Sequence, residues 1–234
     1  MGYVQGMNEL LGPIYYAFAT DPSAEWRAHA EADAFFCFTQ LMSECMNGFL
    51  KTLDHSRVGI QGQMAELNAL LRRKDARVWA TLERLAVNPQ FYSFRWLTLL
   101  LSQEFELPDV LRLWDTLLAD ARRFEHLRHV CVAMVVRIRD RLLDADFASA
   151  LRVLQNYPRE CTIDELLELA KVVASAAYAH PDRGEAEETR TDADEAAEEA
   201  RRVEAAVAEA DARAKEAQEL RDTMARNSLV DFLL

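Results

Sequence analysis

The chain is 234 residues long, half hydrophobic, with only 7 glycines and 6 prolines and a formal charge of −12. That length can bury a full core, and few helix breakers among abundant Leu, Ala, Glu and Arg favour an all-α fold over a β-rich one. The acidic balance argues against general nucleic-acid binding, and no apolar stretch reaches the ~20 residues that a membrane span needs.

The chain opens with Gly2-Tyr3-Val4-Gln5-Gly6-Met7-Asn8-Glu9, which sets a glutamine between two glycines just ahead of an apolar helix. A glutamine amide donates and accepts hydrogen bonds together, which suits it to orienting a water molecule, its task in GTP hydrolysis. The helix is predicted over about residues 5–19, because Tyr3, Met7, Leu10, Ile14 and Phe18 recur every three or four positions. At about 100° per residue, Gln5 falls opposite that stripe, toward solvent or a partner.

Asp21-Pro22 reads as an N-cap followed by a first-turn proline. The helix after it carries Phe35, Phe38, Met42, Cys45 and Phe49, a stripe expected to face the core. Residues 60–86 read as two shorter helices divided near Lys74-Asp75. Asn88-Pro89 starts another, expected to run unbroken through Phe91, Phe94, Trp96-Leu97 and Leu100-Leu101 to about Phe105, apolar most of the way round and so deep in the core. Pro108 opens the next, with Val110, Leu111, Trp114, Leu117 and Leu118 on one side. One helix is expected from Phe124 to Leu143, and two shorter ones near 145–156 and 162–177, parted by Tyr157-Pro158. With no strand pattern and no repeat, the packing should be irregular, helix on helix.

The composition changes after His180-Pro181. Residues 182–226 carry 15 acidic against 8 basic side chains, a net of −7, while the remainder carries 24 against 19, a net of −5. The Ala/Glu-rich tail is expected to be a solvated helix, a weak coiled coil on Val203, Val207, Ala210, Ala214 and Ala217, or disordered. Leu229-Val230-Asp231-Phe232-Leu233-Leu234 is apolar enough to dock on the body or a partner.

Cys37, Cys45, Cys131 and Cys161 form no CxxC pair and are expected to be buried free thiols of a cytosolic protein. His126 and His129 have a spacing that permits a metal ligand pair, but without a second pair they read as ordinary histidines, and no metal site is expected. Arg122, Arg123, Arg128, Arg137, Arg139 and Arg141 form a basic cluster, either a face for a GTPase or phospholipid or a solvated helix flank. No phosphate loop, nucleophile elbow or dinucleotide fingerprint occurs, so the chain should bind no nucleotide of its own.

Tyr3-Val4-Gln5-Gly6-Met7-Asn8, Phe94-Arg95-Trp96-Leu97 and Leu107-Pro108-Asp109-Val110-Leu111-Arg112-Leu113-Trp114-Asp115 together resemble the TBC-domain family of GTPase-activating proteins for Rab-type GTPases. The likeness covers roughly residues 1–177, leaving 178–234 as the tail. The run from Phe91 to Phe105 looks like one animal subgroup, that of TBC domain family member 13.

The resemblance implies an irregular multi-helix fold and a Rab-family partner that carries the GTP and Mg²⁺. It also implies a mechanism in which an arginine and a glutamine are both lent to the partner's site. Gln5 matches that glutamine finger, against the plainer reading of a surface side chain beside a tight turn. Tyr3, Gly6 and Met7 would shape its loop. Asn8 either braces the loop or touches the GTPase. Trp96 and Trp114 read as core anchors, and family placement makes Arg95 and Asp115 candidates for a buried ion pair.

The family's arginine lies in an Ile-x-x-Asp-x-x-Arg motif ahead of the glutamine motif, and residues 1–234 contain no such segment; Asp54 and Arg57 do not match it. The chain is therefore expected to be an N-terminally incomplete domain, inactive alone and with apolar surface left uncovered. The alternative is a non-catalytic Rab-binding or scaffolding module. Any membrane association, at endomembranes, would be indirect, through the Rab.

Overall fold

The computed structural model describes residues 3–45, 59–158, 160–175 and Tyr178, apart from the side chains of Arg123 and Phe124. Phe49, Asp54, Arg57 and the acidic tail, with its heptad-like and C-terminal apolar segments, lie outside the described residues. Among those described there are helices and turns and no strand.

Helix α1 (Met7–Ala19) begins two residues later than its periodicity suggests, because Gln5 and Gly6 form a turn ahead of it. Leu10 is fully buried, Met7 and Ile14 pack against the core, and Pro13 is accommodated inside the helix. After it, Asp21 Oδ1 accepts the Ser23 N–H at 2.8 Å, so the expected cap shapes a turn and the short α2 (Ala24–Arg27) starts only beyond Ser23.

In α3 (Ala30–Cys45) the buried positions are Ala30, Ala34 and Leu41, with Phe38, Met42 and Cys45 packed beside the core. Phe35, expected inward, is 61% exposed. Helices α1 and α3 pack against each other, with Ala30 and Ala34 buried and the phenyl ring one position along turned out to solvent.

The division near Lys74-Asp75 is as expected. Helix α4 (Ile60–Lys74) ends there, and Asp75 Oδ1 caps α5 (Ala76–Arg84) through the Val78 N–H at 3.0 Å. The other carboxylate oxygen of Asp75 meets Arg139 Nε at 2.8 Å, a pair almost wholly removed from solvent. Lys74 donates to the carbonyls of Ser175 at 2.7 Å and Tyr178 at 3.3 Å, and burial lowers its pKa.

The long helix expected over 88–105 does not form. A 3-10 turn (Pro89–Phe91) leads into the short α6 (Ser93–Thr98), and the chain then reverses through Leu100 and Leu101, at φ 49° and 62°. Leu101 N–H reaches back to Trp96 O at 3.0 Å, closing the helix end with the six-to-one bond that usually places glycine in the left-handed position. The Leu100 carbonyl accepts the Trp114 indole N–H at 2.9 Å.

Helix α7 (Leu107–Ala119) starts with Pro108 in its first turn, as its sequence suggests. The helix expected over 124–143 is divided at Ile138 into α8 (Arg123–Arg137) and α9 (Arg139–Leu143). Helix α10 (Phe147–Gln155) is capped by Asp146, and α11 (Ile163–Ala174) by a reciprocal Thr162–Glu165 box.

Helix α8 forms the centre. Val130, Cys131, Val132, Ala133 and Met134 are fully buried, surrounded by α4, α6, α7 and α11. Trp96 is also fully buried, edge-on to Tyr92 and Tyr157 at 5.0 and 6.3 Å between centroids, as befits a core anchor. Trp114 is buried too.

Candidate functional site

The site is built from the turn before α1 and the reversal after α6. Gly6 has φ 102° and ψ −17°, a left-handed conformation that glycine adopts without steric cost. Its Cα faces Leu99: a methyl group added there would lie 2.8 Å from Leu99 Cδ2. The turn is closed by the Met7 N–H to Val4 O at 3.2 Å and the Glu9 N–H to Gly6 O at 3.0 Å. Gln5 is exposed at its crest.

Side chains extend this local bracing. The Tyr3 hydroxyl donates to Asn8 Oδ1 at 2.8 Å, and Asn8 Nδ2 donates to Glu9 Oε1 at 2.9 Å. The Tyr3 ring is 70% exposed, so Tyr3 contributes through its hydroxyl rather than by burial. Asn8 braces the loop, one of the two roles its sequence allows. Beside the turn, Asn8, Glu9, Gly12, Pro13, Tyr15, Tyr16 and Ala19 line one wall of a groove of about 460 Å³, and Ser102, Leu107 and Val110 line the other.

The second motif lies beneath the first. Arg95 does not pair with Asp115 as expected. Its guanidinium grips Glu104 with Nε to Oε1 at 2.7 Å and Nη2 to Oε2 at 2.9 Å, and Nη2 also donates to Gln155 O at 2.7 Å. The Leu99–Leu101 reversal returns the chain toward α6 and brings Glu104 onto Arg95, while α7 leaves Asp115 exposed on another face. The Glu104 side chain is 2% exposed and that of Arg95 39%, so the pair anchors a buried carboxylate. Pro108 is exposed and Asp109 half-buried in the first turn of α7. Asp115 lines a separate hollow with Arg112, Thr116, Asp120, His126 and Lys171.

Leu99, Glu104 and Glu9 were missed by sequence reasoning. Glu104 carries no distinguishing signal, since it stands among Ser102, Gln103 and Glu106 and reads as an ordinary polar position. Leu99 gives none either among its neighbouring leucines.

Other chemistry is sparse. Burial pushes the Cys131 thiol well above the thiol range and the Tyr92 phenol above its own, so neither is a ready nucleophile. Cys37, expected inside, is exposed. His129 Nδ1 lies 3.0 Å from Glu125 O, and desolvation lowers the pKa of both His126 and His129. Much of the basic cluster is paired internally, Arg122 with Glu125, Arg128 with Glu66, Arg139 with Asp75 and Arg141 with Glu160. Among the described residues no group of three His, Cys, Asp or Glu side chains could hold a metal, and no helix is long and apolar enough to cross a membrane. What the arrangement offers is one exposed amide, carried on a braced turn.

Comparison with known proteins bears on that amide. The profile of the Rab-GTPase-TBC domain matches residues 1–143, which contain all three motif segments. TBC1 domain family member 13 of Mus musculus is 54% identical over 158 residues, covering 68% of this chain and 40% of the relative, and the Homo sapiens protein matches equally well. A TBC domain-containing protein of Schizosaccharomyces pombe is 42% identical over 170 residues, covering 66% of this chain and 28% of its own length. The crystal structure of the Ypt/Rab-GAP domain of Gyp1p superposes with a TM-score of 0.65 at 27% identity, covering 74% of this chain and 58% of that one. The chain thus spans 40% of the length of the member 13 relatives it matches.

Proposed function

The chain belongs to the Rab-GTPase-TBC domain family, and from that premise we propose that it serves as a GTPase activator for a Rab-family partner, with Gln5 as the glutamine it lends to the partner's site. The observation that carries the proposal is the exposed Gln5 amide held on the Gly6 turn ahead of α1. Its Oε1 accepts a hydrogen bond from the hydrolytic water and its Nε2 donates one to a phosphoryl oxygen. The first contact strengthens as the attacking water becomes more acidic and the second as charge spreads over the phosphoryl oxygens, so the amide favours the transition state over the ground state. GTP and Mg²⁺ belong to the partner, and this chain holds neither.

The complementary cation is an arginine that neutralises phosphoryl charge, worth about 10³–10⁵ in turnover. Residues 1–234 carry no Ile-x-x-Asp-x-x-Arg segment, so in this proposal the arginine is supplied from outside them. That same observation keeps the second reading alive, a module that holds a Rab without accelerating hydrolysis. Residues 1–177 would act as one partial domain, cytoplasmic and brought to endomembranes by the Rab, with 178–234 as an acidic appendage.

Single-turnover GTP hydrolysis across a panel of Rabs, with this chain and with an N-terminally extended form, separates the readings. The extended form should be faster by at least about a hundredfold, and Gln5→Ala in it should lose about 10²–10³ in rate, the effect of deleting one transition-state hydrogen-bond group. Binding with no acceleration by either form supports the scaffold. A Gln5→Ala variant as fast as its parent removes the proposed finger.

A further inference from the structure

We infer that Leu99 is a positioning residue for the glutamine: its side chain is the floor that holds Gly6, and through Gly6 the amide of Gln5, in one place. The inference rests on the reading of Gln5 given above. The bonds that shape the turn run between Tyr3 and Asn8, Val4 and Met7, and Gly6 and Glu9, all within the turn and the start of α1. They fix its form but do not tie its crest to the body. The close approach of Gly6 to Leu99 adds such a tie beside the packing of Val4 and Met7 against the core: a methyl group on Gly6 would stand 2.8 Å from Leu99 Cδ2 unless that side chain moved.

Leu99 is itself placed by an unusual backbone. It closes α6 and is followed by Leu100 and Leu101 at φ 49° and 62°, a region that leucine adopts only where its surroundings over-determine it. Four independent holds do so here. The Trp114 indole donates to Leu100 O at 2.9 Å, Leu101 N–H bonds Trp96 O at 3.0 Å, and Ser102 N–H bonds Leu99 O at 2.9 Å. The Arg95–Glu104 fork then ties the two ends of the reversal together. These holds fix the point at which α6 ends and the chain turns away just after Leu99. The Arg-Trp and Trp-Asp motifs, distant from the glutamine in sequence, thereby act on it through one leucine side chain.

Amide hydrogen exchange on the full 234-residue chain tests the structural half. In Leu99→Ala the Met7 and Glu9 amides should exchange at least about tenfold faster, while amides in the centre of α8 change less than about twofold. Leu99→Val, a milder truncation that keeps the fold if Ala does not, should move the same two amides by a smaller factor. Unchanged exchange at Met7 and Glu9, or an equal acceleration throughout α8, overturns the inference.

The functional half is a double-mutant cycle by GTP hydrolysis, in whichever of this chain and its extended form is the more active. Leu99→Ala should lower kcat about tenfold with KM within about twofold, and should have no further effect when Gln5 is already Ala. An equal loss in the Gln5→Ala background means that Leu99 acts elsewhere, and the inference fails. If Gln5→Ala alone matches its parent, the finger reading fails instead, and the exchange data still decide whether Leu99 holds the turn.

Discussion

At Gly6 two costs of adding a side chain can be ranked. The collision with Leu99 Cδ2 at 2.8 Å involves the far end of a leucine, which can rotate away. The backbone cannot escape so easily, since φ 102° lies where an L-residue pays about 1–3 kcal/mol. Gly6→Ala should therefore lower Tm by several degrees and slow Gln5-dependent hydrolysis at least tenfold. The check is a melt and a single-turnover assay on the same preparation; a fully active Gly6→Ala with an unchanged melt would show that the turn is not rigid. Arg95 teaches a related lesson. Its partner was legible as an acid but not as Glu104, because the choice between Glu104 and Asp115 depends on a chain reversal that no glycine or proline marks.

Helix ends explain much of what was and was not legible at the next scale. Helix α5 stops with Ala86 at φ 56°, with Val87 N–H bonded to Leu82 O at 3.0 Å and Ala86 N–H to Glu83 O at 2.9 Å. Both bonds of the usual glycine-terminated helix end are present without the glycine. Ala86 is exposed, so exchanging it forfeits no burial. Ala86→Gly should raise stability by about 0.5–1 kcal/mol, or about 1–4 °C in Tm, and a lowered Tm would contradict the strain argument.

At Asp75 and Pro108 the sequence located helix starts well, whereas Asp21-Pro22, a cap and proline of the same kind, shapes a turn ahead of α2. Leucine and alanine in left-handed positions leave no such mark, so the reversal after α6 read as continuous helix. On α3 the error had a different source. Periodicity identifies candidate stripes but does not choose between them, and it is the Ala30–Ala34 side, not the Phe35 side, that is buried. The glutamine segment stood out by its motif, but residues 5 and 6 read as the start of α1 and form a turn ahead of it.

Considered whole, the molecule has a proton-sensitive seam between α8 and the helices around it. Desolvation holds the His126 and His129 imidazoles below their ordinary value of 6.5, with nearby Asp120 and Glu125 opposing the shift. Because the folded-state values are the lower ones, the unfolded chain takes up protons first on acidification. Their contribution to stability is complete above about pH 6.5 and is lost as pH falls from there through the folded-state values. Tm should be higher at pH 7.5 than at pH 5.5, and His126→Gln with His129→Gln should flatten that part of the profile. A slope unaltered in the double variant would assign it to other groups.

Trp26 and Phe36 flank a hollow of about 430 Å³ that also includes Cys37, the one exposed thiol among the described cysteines. Cys131 is sealed in α8, and Cys45 and Cys161 are partly covered. A brief, substoichiometric maleimide treatment would thus put a dye or spin label first on α3, beside that hollow. Whatever settles against those aromatic rings could then be watched by its effect on the label, without altering a single amino acid.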